Sequence, residues 1–125
     1  MEVRSRETEI RARLADIAGP RPGNAERALL GRLVRSYLGK TPGGVDLLGE
    51  LLRGGTPEEV RDHAHSLKGS AANLGADTLA AAFAEVEQSA RDGILPDADF
   101  TLGRVCGELT QVQAILEGLA TELNR

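Results

Sequence analysis

The sequence predicts an all-α protein: an antiparallel four-helix bundle with an additional short N-terminal helix. Apolar residues make up 41% of the 125 residues but include only two Phe, one Tyr and no Trp. A core of Leu, Ala, Val and Ile suits helix packing better than a sheet, which favours β-branched and aromatic residues. In each segment apolar residues recur at spacings of three and four, and Gly and Pro clusters separate the segments.

The first predicted helix covers residues 2–18 and ends before Gly19-Pro20, which cannot continue it. Its apolar stripe consists of Ile10, Leu14 and Ile17. We therefore expect residues 1–22 to form a helical extension with a connector, and residues 23–125 to form the bundle.

The bundle is predicted to begin with a helix over residues 25–38, followed by a break at Gly39–Gly44 and a shorter helix to Leu52. Five residues of the first of these helices are expected to face the core: Leu29, Leu30, Leu33, Val34 and Tyr37.

The run Thr56-Pro57-Glu58-Glu59 has the pattern of a capping box and begins the next helix, which should end at Gly75. A further helix covers residues 76–92, and a long last helix starts after Pro96. Its apolar seam is Leu102, Val105, Leu109, Val112, Leu116, Leu119 and Leu123. Cys106 falls on an apolar stripe of this helix and is expected to be a small buried side chain.

Charge and composition limit the partners. The net charge of −4 and the lack of a basic stripe argue against nucleic acid. No run approaches the ~18 apolar residues that span a bilayer, and no apolar signal segment is present, so we expect no membrane insertion. A single cysteine fits a reducing, cytoplasmic location. A start at Met1 with an extra helix favours a free-standing protein.

A helical wheel of residues 56–74 places His65 on the solvent side, ~140° from the buried stripe that starts at Val60. Beside it lie two cations and two very small residues: Arg61, Lys68, Gly69 and Ala72. His63 falls at the opposite border of the core. A solvated surface histidine is the ordinary alternative, and Arg61 also fits an ordinary surface charge.

Two features favour a functional histidine. Gly69 is mid-helix, where glycine costs ~1 kcal/mol relative to alanine, and its small size would admit a partner. Lys68, one turn after His65, can reach the oxygens of a group carried on the imidazole.

Glu87 is predicted to lie level with His65 if the two helices form a hairpin at Gly75-Ala76. Its carboxylate could accept a hydrogen bond from one ring nitrogen and leave the other free to attack. A solvated glutamate without this contact is the alternative.

Metal and nucleotide sites are not predicted. His63 and His65 point ~200° apart on a helix, so they cannot share an ion. No glycine-rich phosphate loop is present, so the chain should not use ATP itself.

The run from Ala64 to Ala76, AHSLKGSAANLGA, resembles the signature of histidine-containing phosphotransfer (HPt) domains, which carry phosphoryl groups in phosphorelays. The resemblance extends loosely over residues 25–120, including the Thr41-Pro42 turn. It implies that His65 is the phospho-acceptor, Lys68 the phosphoryl-oxygen ligand and Gly69 a clearance residue. Glu87 matches the residue that hydrogen-bonds the imidazole in some members, although Val86-Glu87 stands where many have Leu-Glu.

The resemblance also implies the partners: response-regulator receiver domains, a hybrid histidine kinase, or both. The receiver would supply an Asp and Mg²⁺, while this chain binds no cofactor and is expected to be a monomer. Arg61, Gly69 and Ala72 are expected to line the docking surface.

Two alternatives remain open. In the first, His65 is never phosphorylated and the bundle regulates a kinase or receiver by docking. In the second, His65 and Glu87 form the acid–base pair of a small enzyme.

Overall fold

The computed structural model describes residues 5–124, and within them it contains five helices and no strand. These are α1 (Arg6–Ala18), α2 (Asn24–Gly54), α3 (Pro57–Asn73), α4 (Asp77–Arg91) and α5 (Ala98–Leu123). The predicted all-α class is confirmed. Residues 2–4 of the first predicted helix, and residue 125, lie outside the described residues. No helix in the described range is long and apolar enough to cross a membrane.

The core lies between α2, α3, α4 and α5. The α3–α4 interface is the most extensive, followed by that of α2 with α5, and α2–α3 and α4–α5 contacts complete the ring. Phe83, the largest fully buried side chain, lies in this core. The helix α1 packs on the outside through Ile10 and Leu14, while Ile17 remains 39% exposed.

The predicted break at Gly39–Gly44 is wrong, because α2 is a single helix of 31 residues. Its buried stripe runs without interruption through Leu30, Val34, Tyr37, Thr41, Val45, Leu48 and Leu52. The supposed Thr41-Pro42 turn is therefore also helical. Pro42 removes one helical hydrogen bond at a cost of about 3 kcal/mol. The burial of the stripe residues that precede and follow Pro42 in the sequence offsets that cost. Pro42 itself lies on the exposed face of the helix.

Three predicted core positions are also wrong. Leu29 and Leu33 are 40% and 36% exposed, since the one stripe of α2 that faces its neighbours passes beside them. Cys106 is exposed, because one residue after the buried Val105 the helix has turned ~100° away from the core. The rest of the α5 seam is buried or partly buried, as predicted.

The start of α3 is fixed by the predicted capping box. The Thr56 hydroxyl accepts a hydrogen bond from the Glu59 amide at 3.2 Å, and the Glu59 carboxylate accepts one from the Thr56 amide at 3.0 Å. Pro57 occupies the first turn, where a missing N–H costs little. This start sets the register that places every later side chain of α3.

The turn between α3 and α4 depends on Gly75, which has a φ of +77°. A Cβ at this position would lie 2.7 Å from the Glu9 carbonyl oxygen and 2.7 Å from Arg13 Cβ. Glycine thus permits both the left-handed backbone and the close approach of α1 to the end of α3.

Candidate functional site

His65 projects from the outer face of α3, with 66% of its side chain exposed. Val60, Ala64 and Leu67 of the same helix are buried behind it. This arrangement agrees with the helical wheel, and it leaves the imidazole accessible to a macromolecular partner.

Glu87 of α4 is buried, with 5% of its side chain exposed, and its carboxylate contacts the imidazole ring. His65 Nδ1 lies 3.0 Å from Glu87 Oε2. An ionised carboxylate can only accept a hydrogen bond, so in the neutral ring Nδ1 carries the proton and Nε2 keeps its lone pair. Among residues 5–124, none forms a hydrogen bond with Nε2. The hairpin therefore brings these two residues together in the way the sequence predicts.

Two cations also contact the same carboxylate. Lys68 Nζ lies 2.6 Å from Glu87 Oε1, and Arg91 Nη2 lies 2.7 Å from Glu87 Oε2. The contact with Lys68 is the main cause that lowers the pKa of Glu87; burial opposes it, and the His65 contact lowers the pKa further. Glu87 is thus a carboxylate that stays ionised in a buried position because its charge is compensated.

Arg91 was missed at the sequence level. The signal was its position four residues after Glu87, which places the two side chains on one face of α4. Its side chain is 56% exposed, so the guanidinium reaches the same surface as the His65 ring.

The three predicted docking residues lie in different surroundings. Arg61 pairs with Asp62 at 3.0 Å instead of contacting His65 or Glu87. Gly69 and Ala72 are exposed, and a Cβ at Gly69 would meet no atom within 4 Å. The surface from His65 toward the C-terminal end of α3 is therefore open.

His63 has a different environment from His65. Its Nε2 lies 2.7 Å from the backbone oxygen of Gly44 and donates to it, which joins α3 to α2. The helices are close here, since a Cβ at Gly44 would lie 2.9 Å from a Leu67 methyl carbon. His63 is half-buried, and its hydrogen bond connects two helices of the bundle.

The described residues contain no group of three or more His, Cys, Asp or Glu side chains that could hold a metal ion. The site consists of the exposed His65 imidazole, the buried Glu87 carboxylate and the cationic side chains of Lys68 and Arg91. Such a set can accept and hold an anionic group on Nε2.

Comparison with known families gives one match: the sequence model of the Hpt domain fits residues 32–122. This range contains His65, Lys68, Glu87 and Arg91, and it leaves α1 outside. No curated protein and no solved structure matches the chain significantly.

Proposed function

This chain belongs to the Hpt domain family, whose members carry phosphoryl groups in two-component phosphorelays, and we propose that His65 is its phospho-acceptor. The observation that carries the proposal is the 3.0 Å contact between His65 Nδ1 and the buried Glu87 carboxylate. It supports a ring with one defined tautomer and a free nucleophilic nitrogen on the surface.

In the proposed reaction, the lone pair of Nε2 attacks the phosphorus of a receiver's aspartyl phosphate. A P–N bond forms, the P–O bond to the aspartate breaks, and the aspartate leaves with the electron pair. The proton on Nδ1 remains in place, so the ring gains positive charge as the bond forms. Glu87 is positioned to stabilise that charge, and the reverse reaction returns the phosphoryl group to an aspartate.

Lys68 is proposed to neutralise the transferred phosphoryl group. Its ammonium has three donors, so it can keep its contact with Glu87 and still donate to a phosphoryl oxygen. Phosphoryl transfer depends mainly on in-line positioning and charge stabilisation, and one anchored cation beside an exposed nucleophile provides both.

The proposed partners are receiver domains of response regulators, a hybrid histidine kinase, or both. A receiver would bring its own Asp and Mg²⁺, so this chain needs no cofactor and no ATP. We further propose that it acts as a monomer, because one chain carries His65, Lys68 and Glu87. A free thiol at Cys106 fits a reducing compartment such as the cytoplasm.

We also propose that α2–α5 form the antiparallel four-helix bundle of the family and that residues 1–22 are an extension to it. Short connections between successive helices and the ring of interfaces support this arrangement.

The test is incubation with a receiver domain phosphorylated on aspartate with ³²P. We expect acid-labile, alkali-stable label on the chain, and none on His65→Gln. Binding of the receiver without any transfer of label would instead favour a docking module that regulates a kinase or receiver.

A further inference from the structure

A groove of about 360 Å³ lies between α1 and the end of the α3–α4 hairpin. It is lined by Glu9, Ala12, Arg13, Asp16, Ala72, Gly75 and Asp77. Ala72 belongs both to this groove and to the open surface that runs from His65 along α3. The groove is therefore continuous with the proposed docking surface, and α1 forms its far wall.

The position of α1 is fixed by its own ion pairs. Arg6 Nη2 lies 2.8 Å from Glu108 Oε2, and Arg11 Nη2 lies 2.7 Å from Glu122 Oε1. Arg11 also pairs with Glu7 at 2.8 Å. The burial of Ile10 and Leu14, together with the pairs to Glu108 and Glu122, holds α1 against the bundle.

Three charged side chains that line the groove, Arg13, Asp16 and Asp77, do not form ion pairs of this kind in the described part of the chain. Arg13 makes a single long hydrogen bond, 3.4 Å from its Nε to the Asn73 carbonyl oxygen. Within residues 5–124, no hydrogen bond or ion pair involves the carboxylates of Asp16 and Asp77. One side of α1 is therefore paired to its own bundle, and the other presents charges that a partner can pair with.

The distances suit a protein partner that docks over His65. Ala72 is seven residues after His65, which is two turns along the same face and ~10 Å. A typical specific interface covers roughly 800 Å² on each partner, equivalent to a circle of ~16 Å radius. A receiver centred on His65 therefore extends over Ala72 and onto α1.

We propose that α1 is part of the receiver-docking surface and that Arg13 and Asp16 select among receivers. This inference rests on the proposed function of His65. The expected partner is a receiver whose acidic phosphorylation site faces Lys68 and Arg91. It carries a Lys or Arg farther along its docking face, where it meets Asp16 and Asp77 beyond Ala72. This opposite order of charges on the two surfaces would orient the receiver as it docks.

The experiment measures transfer from ³²P-labelled receiver domains over a range of receiver concentrations, using Asp16→Lys, Arg13→Glu and the control Glu117→Lys. Glu117 is an exposed acidic residue of α5, a helix that has no extensive interface with α3. For a receiver with the expected basic residue, Asp16→Lys should raise the half-saturating concentration about three- to tenfold, with the maximal rate unchanged. The difference should shrink at high salt, and Glu117→Lys should match wild type.

Direct binding titrations with the unphosphorylated receivers keep the two proposals separate. If His65 is not the acceptor, His65→Gln still takes label or wild type takes none, yet Asp16→Lys still weakens receiver binding. The docking proposal is overturned if Asp16→Lys and Arg13→Glu bind and react like Glu117→Lys with every receiver that wild type recognises.

Discussion

His65 Nδ1 and Glu87 Oε2 are 3.0 Å apart although 22 residues separate them in the sequence. One partner is 66% exposed and the other 5%. The pair thus joins an exposed imidazole to a buried, ionised carboxylate. Because a buried carboxylate is costly without compensation, Lys68 and Arg91 on the same carboxylate are part of what keeps it charged.

The first prediction concerns the pH dependence of stability. In the folded state the pKa of Glu87 lies below its ordinary value of 4.5, mainly because of the contact with Lys68. Ionised Glu87 therefore stabilises the folded state, and this contribution is fully present above the ordinary pKa. This contribution is lost as the pH falls through the lowered pKa. Glu87→Gln should therefore lose less free energy of unfolding than wild type between about pH 6 and pH 3, measured in urea. The control Glu117→Gln should follow wild type, and an identical slope for Glu87→Gln would contradict the account.

Lys68→Ala should slow phosphotransfer in both directions. The loss corresponds to one partly exposed charged hydrogen bond, on the order of 1.5–3 kcal/mol, or roughly ten- to a hundredfold in rate. Lys68→Arg should recover part of it, because the charge remains while the geometry changes. Kinetics over a range of receiver concentrations separate rate from affinity. A normal maximal rate with weaker binding would make Lys68 a docking residue.

Gly69 and Gly107 form a matched pair, since both are exposed helical glycines at which a Cβ would meet nothing. Alanine at either position should raise the free energy of unfolding by up to ~1 kcal/mol. Arginine should have different effects at the two positions. Gly69→Arg should block receiver docking, whereas Gly107→Arg on α5 should leave phosphotransfer normal. Unchanged transfer with Gly69→Arg would mean that receivers approach another face.

Thr56→Ala should remove the hydroxyl half of the capping box and lower the free energy of unfolding by about 1 kcal/mol. Phosphotransfer at a temperature where the protein is folded should be unchanged, because His65 lies more than two turns away. Urea titration measures the first effect. A stability equal to wild type would show that the cap contributes nothing here.

The α3–α4 hairpin was predictable from the sequence because several local signals agree there. The capping box fixes the start of α3, the Val60 stripe fixes its buried side, and Gly75 fixes the turn. With those three set, the meeting of His65 and Glu87 follows from helix geometry alone.

The helix α2 was not predictable from local signals, since Gly39–Gly44 and Pro42 favour a break. Tertiary packing overrides them: Thr41 and Val45 continue the buried stripe across the glycines, and Gly44 allows Leu67 to approach. The position of α1 likewise depends on distant partners, such as the pairing of Arg6 with Glu108, that no local pattern reveals.

The most direct test of the central claim compares His65→Gln with His63→Gln in transfer from a phosphorylated receiver. The two histidines are two residues apart, but His63 donates to the Gly44 carbonyl while Nε2 of His65 faces solvent. We expect His65→Gln to take no label while its helical content and melting temperature stay near those of wild type. His63→Gln should still be labelled, even if it melts at a lower temperature. Label on His65→Gln and none on folded His63→Gln would contradict the account.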